Sequence, residues 1–263
     1  MAEPFLISFE RVFYRLRILL ANDDGIAAEG LRELAAVLSA EHEIFVCAPK
    51  GEQSGMAHAL SVRRPMEFAA YAPLEKTCVA AWSLDGTPTD CVKVCLESVL
   101  KENPPDLVIS GINRGANLAT DVLYSGTVGA AMEGYLHGIT SLAVSLDKNS
   151  ALSYRETAGI FADFLRRELA TREQPFFYNV NFPPKLAPGV PQFVFATLGK
   201  RDYINAFLRH TDEEGKEFFT VGGEAIDLDK SEGTDIYAVD RGYIAVTPLH
   251  TELTDFAALG RLR

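Results

Sequence analysis

Two adjacent carboxylates, Asp23 and Asp24, stand at the end of the apolar run Ile18-Leu19-Leu20-Ala21 and are followed at once by Gly25. Like charges placed side by side repel each other unless a cation or a shared proton relieves them. A divalent metal is the simplest partner for the pair. One of the two can instead cap the helix that follows, a common task for Asp, but an N-cap position uses a single side chain. Asp24 capping and Asp23 binding are therefore compatible readings.

Three further turns carry polar groups suited to the same chemistry. In Ser110-Gly111-Ile112-Asn113-Arg114-Gly115, Asn113 offers an amide oxygen to a hard cation, Arg114 offers a planar fork to phosphate, and the glycines let backbone approach a ligand. The loop at 50–58 brings Ser54, with a hydroxyl, and His58, a proton donor or a packing histidine. Tyr124-Ser125-Gly126-Thr127-Val128-Gly129 reads as a glycine-rich helix entry, where free N–H groups, hydroxyls and the helix dipole make an anion site. Carboxylate, hydroxyl and amide oxygens suit Mg²⁺ or Mn²⁺ better than zinc, which prefers nitrogen and sulfur. With an anion site beside such an ion, the expected chemistry is phosphoester hydrolysis by metal-activated water.

The elements that must position these groups follow from periodicity. The run at 18–21 reads as a buried strand, so the acids sit at a strand's carboxyl end, the edge where open parallel α/β sheets bind ligands. Leu31, Leu34, Ala35 and Leu38 recur at helical spacing, and a second apolar strand at 42–47 completes a βαβ unit. Short strand-like pieces occupy 68–84. Thr87 as N-cap, Pro88 at the first helical position and Asp90 as capping-box partner predict a helix running to about residue 100. Strands are expected at 107–109, 141–146 and 176–182, with an amphipathic helix from 154 to about 169 that turns Ile160, Phe161, Phe164 and Leu165 inward.

Beyond residue 190 the period changes to short strand-like runs at 193–196, 217–221 and 243–246, without matching helices, and a short helix is expected within 253–262. The fold class is α/β: a Rossmann-like, mostly parallel sheet with helices on both faces, plus a C-terminal β-rich arm. Residues 1–14 form an extension and 15–190 the core with the site. Residues 191–263 hold the arm, the final core strand and the tail, in one structural unit with the core.

A chain of 263 residues, 48% hydrophobic, is long enough for one large α/β unit. Its formal charge of −11 argues against a nucleic-acid polymer as partner, because such affinity comes mostly from Lys and Arg neutralising phosphates. A small nucleotide or phosphate ester at a local positive site fits. The four cysteines, Cys47, Cys78, Cys91 and Cys95, form no CxxC pair and read as small buried hydrophobes, which suits a reduced, cytoplasmic compartment. Glu3, Glu10 and Arg11 interrupt the N-terminus where a signal peptide needs an unbroken apolar segment, and no stretch is long enough to cross a bilayer. No export and no membrane association are expected.

An ordered set of segments adds to this reading. It comprises Asn22-Asp23-Asp24-Gly25, Ala48-Pro49 with Ser54-Gly55, Gly86-Thr87-Pro88 with Asp90-Cys91-Val92, and Pro105-Asp106-Leu107-Val108 through Asn113. Tyr124-Ser125-Gly126-Thr127-Val128, Asn179-Val180-Asn181-Phe182-Pro183 and Thr247-Pro248-Leu249 complete it. Spread from about residue 17 to 249, the set resembles the survival protein E (SurE) family of metal-dependent nucleoside-monophosphate phosphatases. The resemblance implies that Asp23, Asp24, Ser54 and Asn113 ligate one divalent ion per subunit, with Asp23, Asp24 and Asn113 as the catalytic residues. Ser110, Gly111, Ser125, Gly126 and Thr127 then lie near the phosphate, which Arg114 also serves. It further implies hydrolysis of nucleoside 5′- and 3′-monophosphates, action on short polyphosphate, and homodimers or homotetramers built through the arm and an exchanged C-terminal segment. The extension lies outside the pattern, and Ser61 stands where a Thr is usual.

Other classes that place acids after a first strand fit less well. A haloacid-dehalogenase-type phosphatase needs a D-x-D arrangement, and here the acids are adjacent. A receiver-like Mg-binding phospho-acceptor module needs an acceptor Asp at the end of a later central strand, where Ser110-Gly111-Ile112-Asn113 supplies none. A dinucleotide binder needs G-x-G-x-x-G in the first βα turn, which is missing.

Overall fold

Alternate residues of the first strand, β1 (Arg17–Ala21), serve two different cores: Ile18 and Leu20 join one apolar cluster, Leu19 and Ala21 another, and all four are fully buried. A strand covered on both faces reads as an unbroken apolar run, which is why no alternation marks it in the sequence. The computed structural model describes residues 15–262 except 172 and 174. The expected extension at 1–14 lies outside the described residues.

The chain continues through α1 (Glu29–Leu38), β2 (Glu43–Pro49), β3 (Phe68–Ala70), β4 (Ala80–Leu84), α2 (Pro88–Val94), β5 (Leu107–Arg114), α3 (Gly126–Leu136), β6 (Thr140–Leu146), α4 (Tyr154–Thr171) and β7 (Phe177–Phe182). There follow β8 (Phe193–Phe195), β9 (Lys200–Ile204), β10 (Phe207–Thr211), β11 (Glu217–Val221), β12 (Glu224–Asp229), α5 (Asp235–Asp240), β13 (Ile244–Pro248) and α6 (Phe256–Leu262). Nine strands form one sheet in the order β3-β4-β2-β1-β5-β6-β7-β13-β8. From β4 to β7 every neighbouring pair is parallel; β3 and β13 run antiparallel to β4 and β7.

Helices cover both faces. On one, Leu31, Leu34 and Leu38 of α1 and Phe161, Phe164 and Leu165 of α4 pack with Ile18, Leu20, Ile44 and Val46. On the other, Cys91 and Val92 of α2 and Ala130 of α3 pack with Leu19, Ala21, Phe45 and Cys47. All four cysteines are free and buried, as small hydrophobes would be. The α2 start carries the anticipated capping box: Thr87 Oγ1 accepts from the Asp90 N–H at 3.1 Å and Asp90 Oδ2 accepts from the Thr87 N–H at 2.8 Å. The expected helix to residue 100 is α-helical only as far as Val94. Cys95–Val99 then widens to a π-helical turn, with the Leu100 N–H bonded back to the Cys95 carbonyl at 2.7 Å.

The C-terminal segment divides. β8 and β13 complete the main sheet, whereas β9 pairs with β12 and β10 with β11 as two separate antiparallel ribbons. Every residue of β10 and β11 is exposed, including Phe207, Phe219 and Val221. A helix, α5, lies where none was expected. Its six residues are too few to show a 3.6-residue period, and it is marked instead by its cap, Thr234, which accepts from the Tyr237 N–H at 3.2 Å. Among the described residues, no helix is long and apolar enough to cross a membrane.

Candidate active site

The site lies at the carboxyl edge of β1 and β5, where the register pairs Ala21 with Ser110. Immediately beyond β1, Asn22 closes the turn by donating from Nδ2 to the Gly25 carbonyl at 2.9 Å. Gly25, at φ +98°, is pressed against Gly51 of the neighbouring loop, so a side chain here meets both strain and backbone. From this tight turn Asp23 and Asp24 reach different partners.

Asp23 is 7% exposed and accepts a short hydrogen bond from the Thr127 hydroxyl in the first turn of α3. Burial lifts its carboxyl to about 6 against the lowering effect of that bond, and the Asp24 charge adds to the rise. Asp24 accepts from the backbone N–H of Arg114 at 3.0 Å. Its carboxyl too is raised, by burial first, with the Arg114 bond opposing and the charge of Glu52 contributing. Neither caps α1, whose N-cap is Ala28 without any side-chain bond, so the capping alternative falls away for both acids.

The helix entry expected at 124–129 is the start of α3. Ser125 is the N-cap, its Oγ accepting from the Val128 N–H at 3.1 Å, and the N–H groups of Gly126 and Thr127 occupy the first helical positions, where no intrahelical acceptor exists. Gly126 lies flush against Asp23: a Cβ there would stand 3.1 Å from both Cβ and Oδ2 of the aspartate. Asn113 donates from Nδ2 to the Gly115 carbonyl at 2.8 Å, which leaves its amide oxygen without a hydrogen bond among the described residues. The Arg114 side chain is exposed and makes no ion pair among the described residues. Gly111, at φ +141°, forms part of the irregularity in β5, and any side chain on it would strike the Val144 carbonyl. Its requirement is therefore a close approach of backbone to backbone.

Ser54 is exposed, and its hydroxyl donates to Glu52 at 2.6 Å rather than meeting the aspartates directly. Its loop is nevertheless fastened to the site. The Gln53 N–H donates to the Asp23 carbonyl at 2.7 Å, the Ala57 N–H to the Tyr124 carbonyl at 3.0 Å, and the Ser61 N–H to Asp90 Oδ1 at 3.1 Å. His58 turns away from the acids: its Nε2 lies 2.7 Å from Glu133 Oε2, one helical turn and more beyond Thr127 along α3.

Glu133 and Glu52 were not singled out in the sequence. Burial opposes the charge of Glu133, but bonds to His58 and Lys93 outweigh it and hold the carboxyl down at about 2. A lone carboxylate in the small-residue helix Gly-Thr-Val-Gly-Ala-Ala-Met-Glu is a signal for such a buried partner set. Glu97, Glu133 and His137 are spaced closely enough to hold a cation, yet Lys93 Nζ already bridges Glu97 and Glu133 at 2.7 and 2.8 Å. This cluster is separate from the strand-end acids.

The strand-end donor set fits a hard divalent ion. Two neighbouring carboxylates sit above their ordinary range with no ion pair to either among the described residues. At the same edge the buried oxygens Asn22 Oδ1 and Ser110 Oγ have no hydrogen-bond partner. Oxygen donors left without partners in this way suit a hard cation.

Comparison with known proteins finds relatives over nearly the whole chain. A protein called 5′-nucleotidase SurE from Pelotomaculum thermopropionicum is 43% identical over 254 residues, covering 94% of each chain. One of the same name from Synechococcus sp. (strain JA-3-3Ab) is 41% identical, covering 94% of this chain and 96% of that one. The crystal structure of the SurE protein from Aquifex aeolicus superposes with a TM-score of 0.79 at 34% identity, over 94% of this chain and 98% of that one. The family model described as Survival protein SurE matches residues 18–205, and with all but the first residue of β1, the acidic turn, the α3 entry and the first strand of the arm inside that span, the chain belongs to the SurE family.

Proposed function

We propose that this protein is a divalent-metal-dependent phosphomonoesterase that hydrolyses nucleoside 5′-monophosphates to nucleoside and phosphate. Nucleoside 3′-monophosphates and short polyphosphate are the further substrate classes. The observation that carries the reading is the pairing of two carboxylates, both raised above their ordinary range, with a helix N-terminus through the Thr127–Asp23 bond. The names of its relatives support the nucleotidase assignment.

In this reading Asp23, Asp24, Asn113 and Ser54 hold one Mg²⁺ or Mn²⁺ per subunit, the Ser54 hydroxyl leaving Glu52 to do so. Such an ion supplies a lowered pKa for a bound water and polarises a phosphoryl oxygen. The chain's own contribution is placement. Thr127 fixes the Asp23 carboxylate with its hydroxyl, the Arg114 N–H fixes that of Asp24, and the Ser125 hydroxyl with the N–H groups of Gly126 and Thr127 faces phosphate oxygens. Ser110 supports that edge, and the exposed Arg114 guanidinium reaches the phosphate from the end of β5. With His58 bonded to Glu133, solvent is the proton donor this reading assigns to the leaving alcohol. The exposed apolar side chains of β10 and β11 suit a homodimer or homotetramer built on the arm, in a cytoplasmic protein.

The test is phosphate release from a panel of nucleoside 5′- and 3′-monophosphates and tripolyphosphate, before and after chelation. Activity on 5′-monophosphates that disappears with chelator and returns with Mn²⁺ or Mg²⁺ is expected. Full activity in the chelated protein, or restoration by zinc alone, overturns the ligand assignment. Stable labelling by acetyl phosphate without turnover would favour the phospho-acceptor class instead.

A further inference from the structure

The base of the arm is joined to the phosphate-facing turn by a short strut. Residues Ala119–Leu123 form a 3-10 turn that leads through Tyr124 into the cap Ser125. On its arm side this turn is bonded at three successive residues. The Ala119 N–H donates to Asp235 Oδ2 at 2.7 Å, and the other oxygen of that buried carboxylate accepts from the Gly199 N–H at 2.8 Å. The Thr120 hydroxyl donates to the Arg201 carbonyl at 2.8 Å and accepts from the Arg201 N–H at 3.0 Å. Asp121 then receives β9 with both carboxylate oxygens: Oδ2 from Arg201 Nη1 at 3.1 Å and Oδ1 from the Tyr203 hydroxyl at 2.9 Å.

On its site side the same turn sets two things. The Asp121 carbonyl accepts from the Tyr124 N–H at 3.0 Å, and the Tyr124 carbonyl holds the Ala57 N–H of the Ser54 loop at 3.0 Å. The next residue is the α3 cap itself. The side chain of Arg201 is 16% exposed and lies between Asp121 and Asp227, which it meets through Nε at 2.7 Å. Burying a guanidinium between two carboxylates adds little net stability over apolar packing, because desolvation offsets the attraction; what it supplies is a fixed register. Asp235 and Thr120 already attach the turn, so the charge pair is superfluous as mere attachment.

We propose that Arg201 and Asp121 are a positioning pair, through which the base of the arm sets the placement of the Ser125–Thr127 phosphate turn and of the Ser54 loop. The proposal rests on the reading of that turn as the phosphate cradle. Neither residue touches substrate. A blurred cradle loses binding shared by ground state and transition state, so KM rises while kcat is little changed.

The experiment compares Asp121→Asn, Arg201→Met and Arg201→Lys with the parent, all as full chains loaded with Mn²⁺. It measures kcat and KM for adenosine 5′-monophosphate and the dissociation constant of inorganic phosphate by titration calorimetry. Expected are rises of roughly fivefold or more in KM and in the phosphate constant for Asp121→Asn and Arg201→Met, kcat within about twofold, and partial recovery in Arg201→Lys. If Arg201→Met does not fold, Asp121→Asn, of equal shape, carries the comparison. Ser125→Ala separates the two layers of the argument. Should it weaken phosphate while the pair variants do not, the pair is only an attachment and the proposal is wrong. Should Ser125→Ala leave phosphate affinity intact, the cradle reading itself fails and the proposal falls with it.

Discussion

Replacing Asp23 by Asn should stabilise the metal-free protein while removing its ability to take up metal. In the fold the carboxyl stands at about 6 instead of 3.8, chiefly because it is buried. At about 1.4 kcal/mol per pH unit, keeping it ionised costs the apo fold about 3 kcal/mol at neutral pH. The sign follows from proton binding. Between pH 3.8 and about 6 the folded chain holds a proton that the unfolded chain has released, so stability falls as pH rises through that window and stays lowered above it. Asn has the same shape and still accepts from the Thr127 hydroxyl, but carries no charge to desolvate.

Urea unfolding in the presence of chelator should therefore show Asp23→Asn more stable than the parent by up to about 3 kcal/mol at pH 7.5. The gap should close as the buffer is taken toward pH 4. Adding Mn²⁺ at a hundredfold excess over its dissociation constant should raise the parent by about 2.7 kcal/mol and leave the variant unmoved. A variant less stable than the parent in chelator at pH 7.5, or a gap that does not vary with pH, would refute the electrostatic account of the site.

Other perturbations test the supports. Gly129→Ala drives a methyl group into the Ala57 carbonyl and should cost about 1–3 kcal/mol in urea unfolding, with weaker Mn²⁺ binding as the Ser54 loop shifts. Thr87→Ala removes the α2 cap and the bond to the Ala59 carbonyl at 2.7 Å, for a loss of about 1 kcal/mol in thermal or urea unfolding. Glu133→Gln leaves Lys93 and His58 poorly matched and should cost about 1–3 kcal/mol at pH 7. Because the Glu133 carboxyl is held near 2, that cost should shrink as pH falls from the usual carboxylate range toward 2, a trend readable from melting temperature against pH.

The parts of this fold legible in the sequence are those whose signal is local. Ile18 to Ala21, a strand buried on both faces, announces itself as a continuous apolar run, and Thr87, Pro88 and Asp90 spell a cap whose bonds close within three residues. The strand-end position of Asp23 and Asp24 follows from these short-range cues. What stayed hidden depends on pairing across the chain: Asp24 meets the Arg114 backbone 90 residues away, and His58 meets Glu133 75 residues away. No spacing rule reports either. The π-helical turn at Cys95–Val99 has no compositional mark, and α5 is shorter than two helical turns. Ser54 shows a third limit, since a hydroxyl on an exposed loop can be assigned to a site while its rotamer points at Glu52.

The cluster beneath α2 has a practical consequence. Cys47 and Cys95 are driven well above the ordinary thiol range, with Cys47 hydrogen-bonded to Cys91 and to Cys95, whereas Cys78, pushed up to about 11 by burial, belongs to the core on the other face of the sheet. Only thiolate reacts with alkylating and disulfide-exchange reagents, so Cys47 and Cys95 react slowly while the layer is closed. With Cys78 replaced by Ser, the molecule thus carries its own stopwatch: the pace of Ellman's-type colour development at neutral pH follows how often the β2–α2 layer breathes.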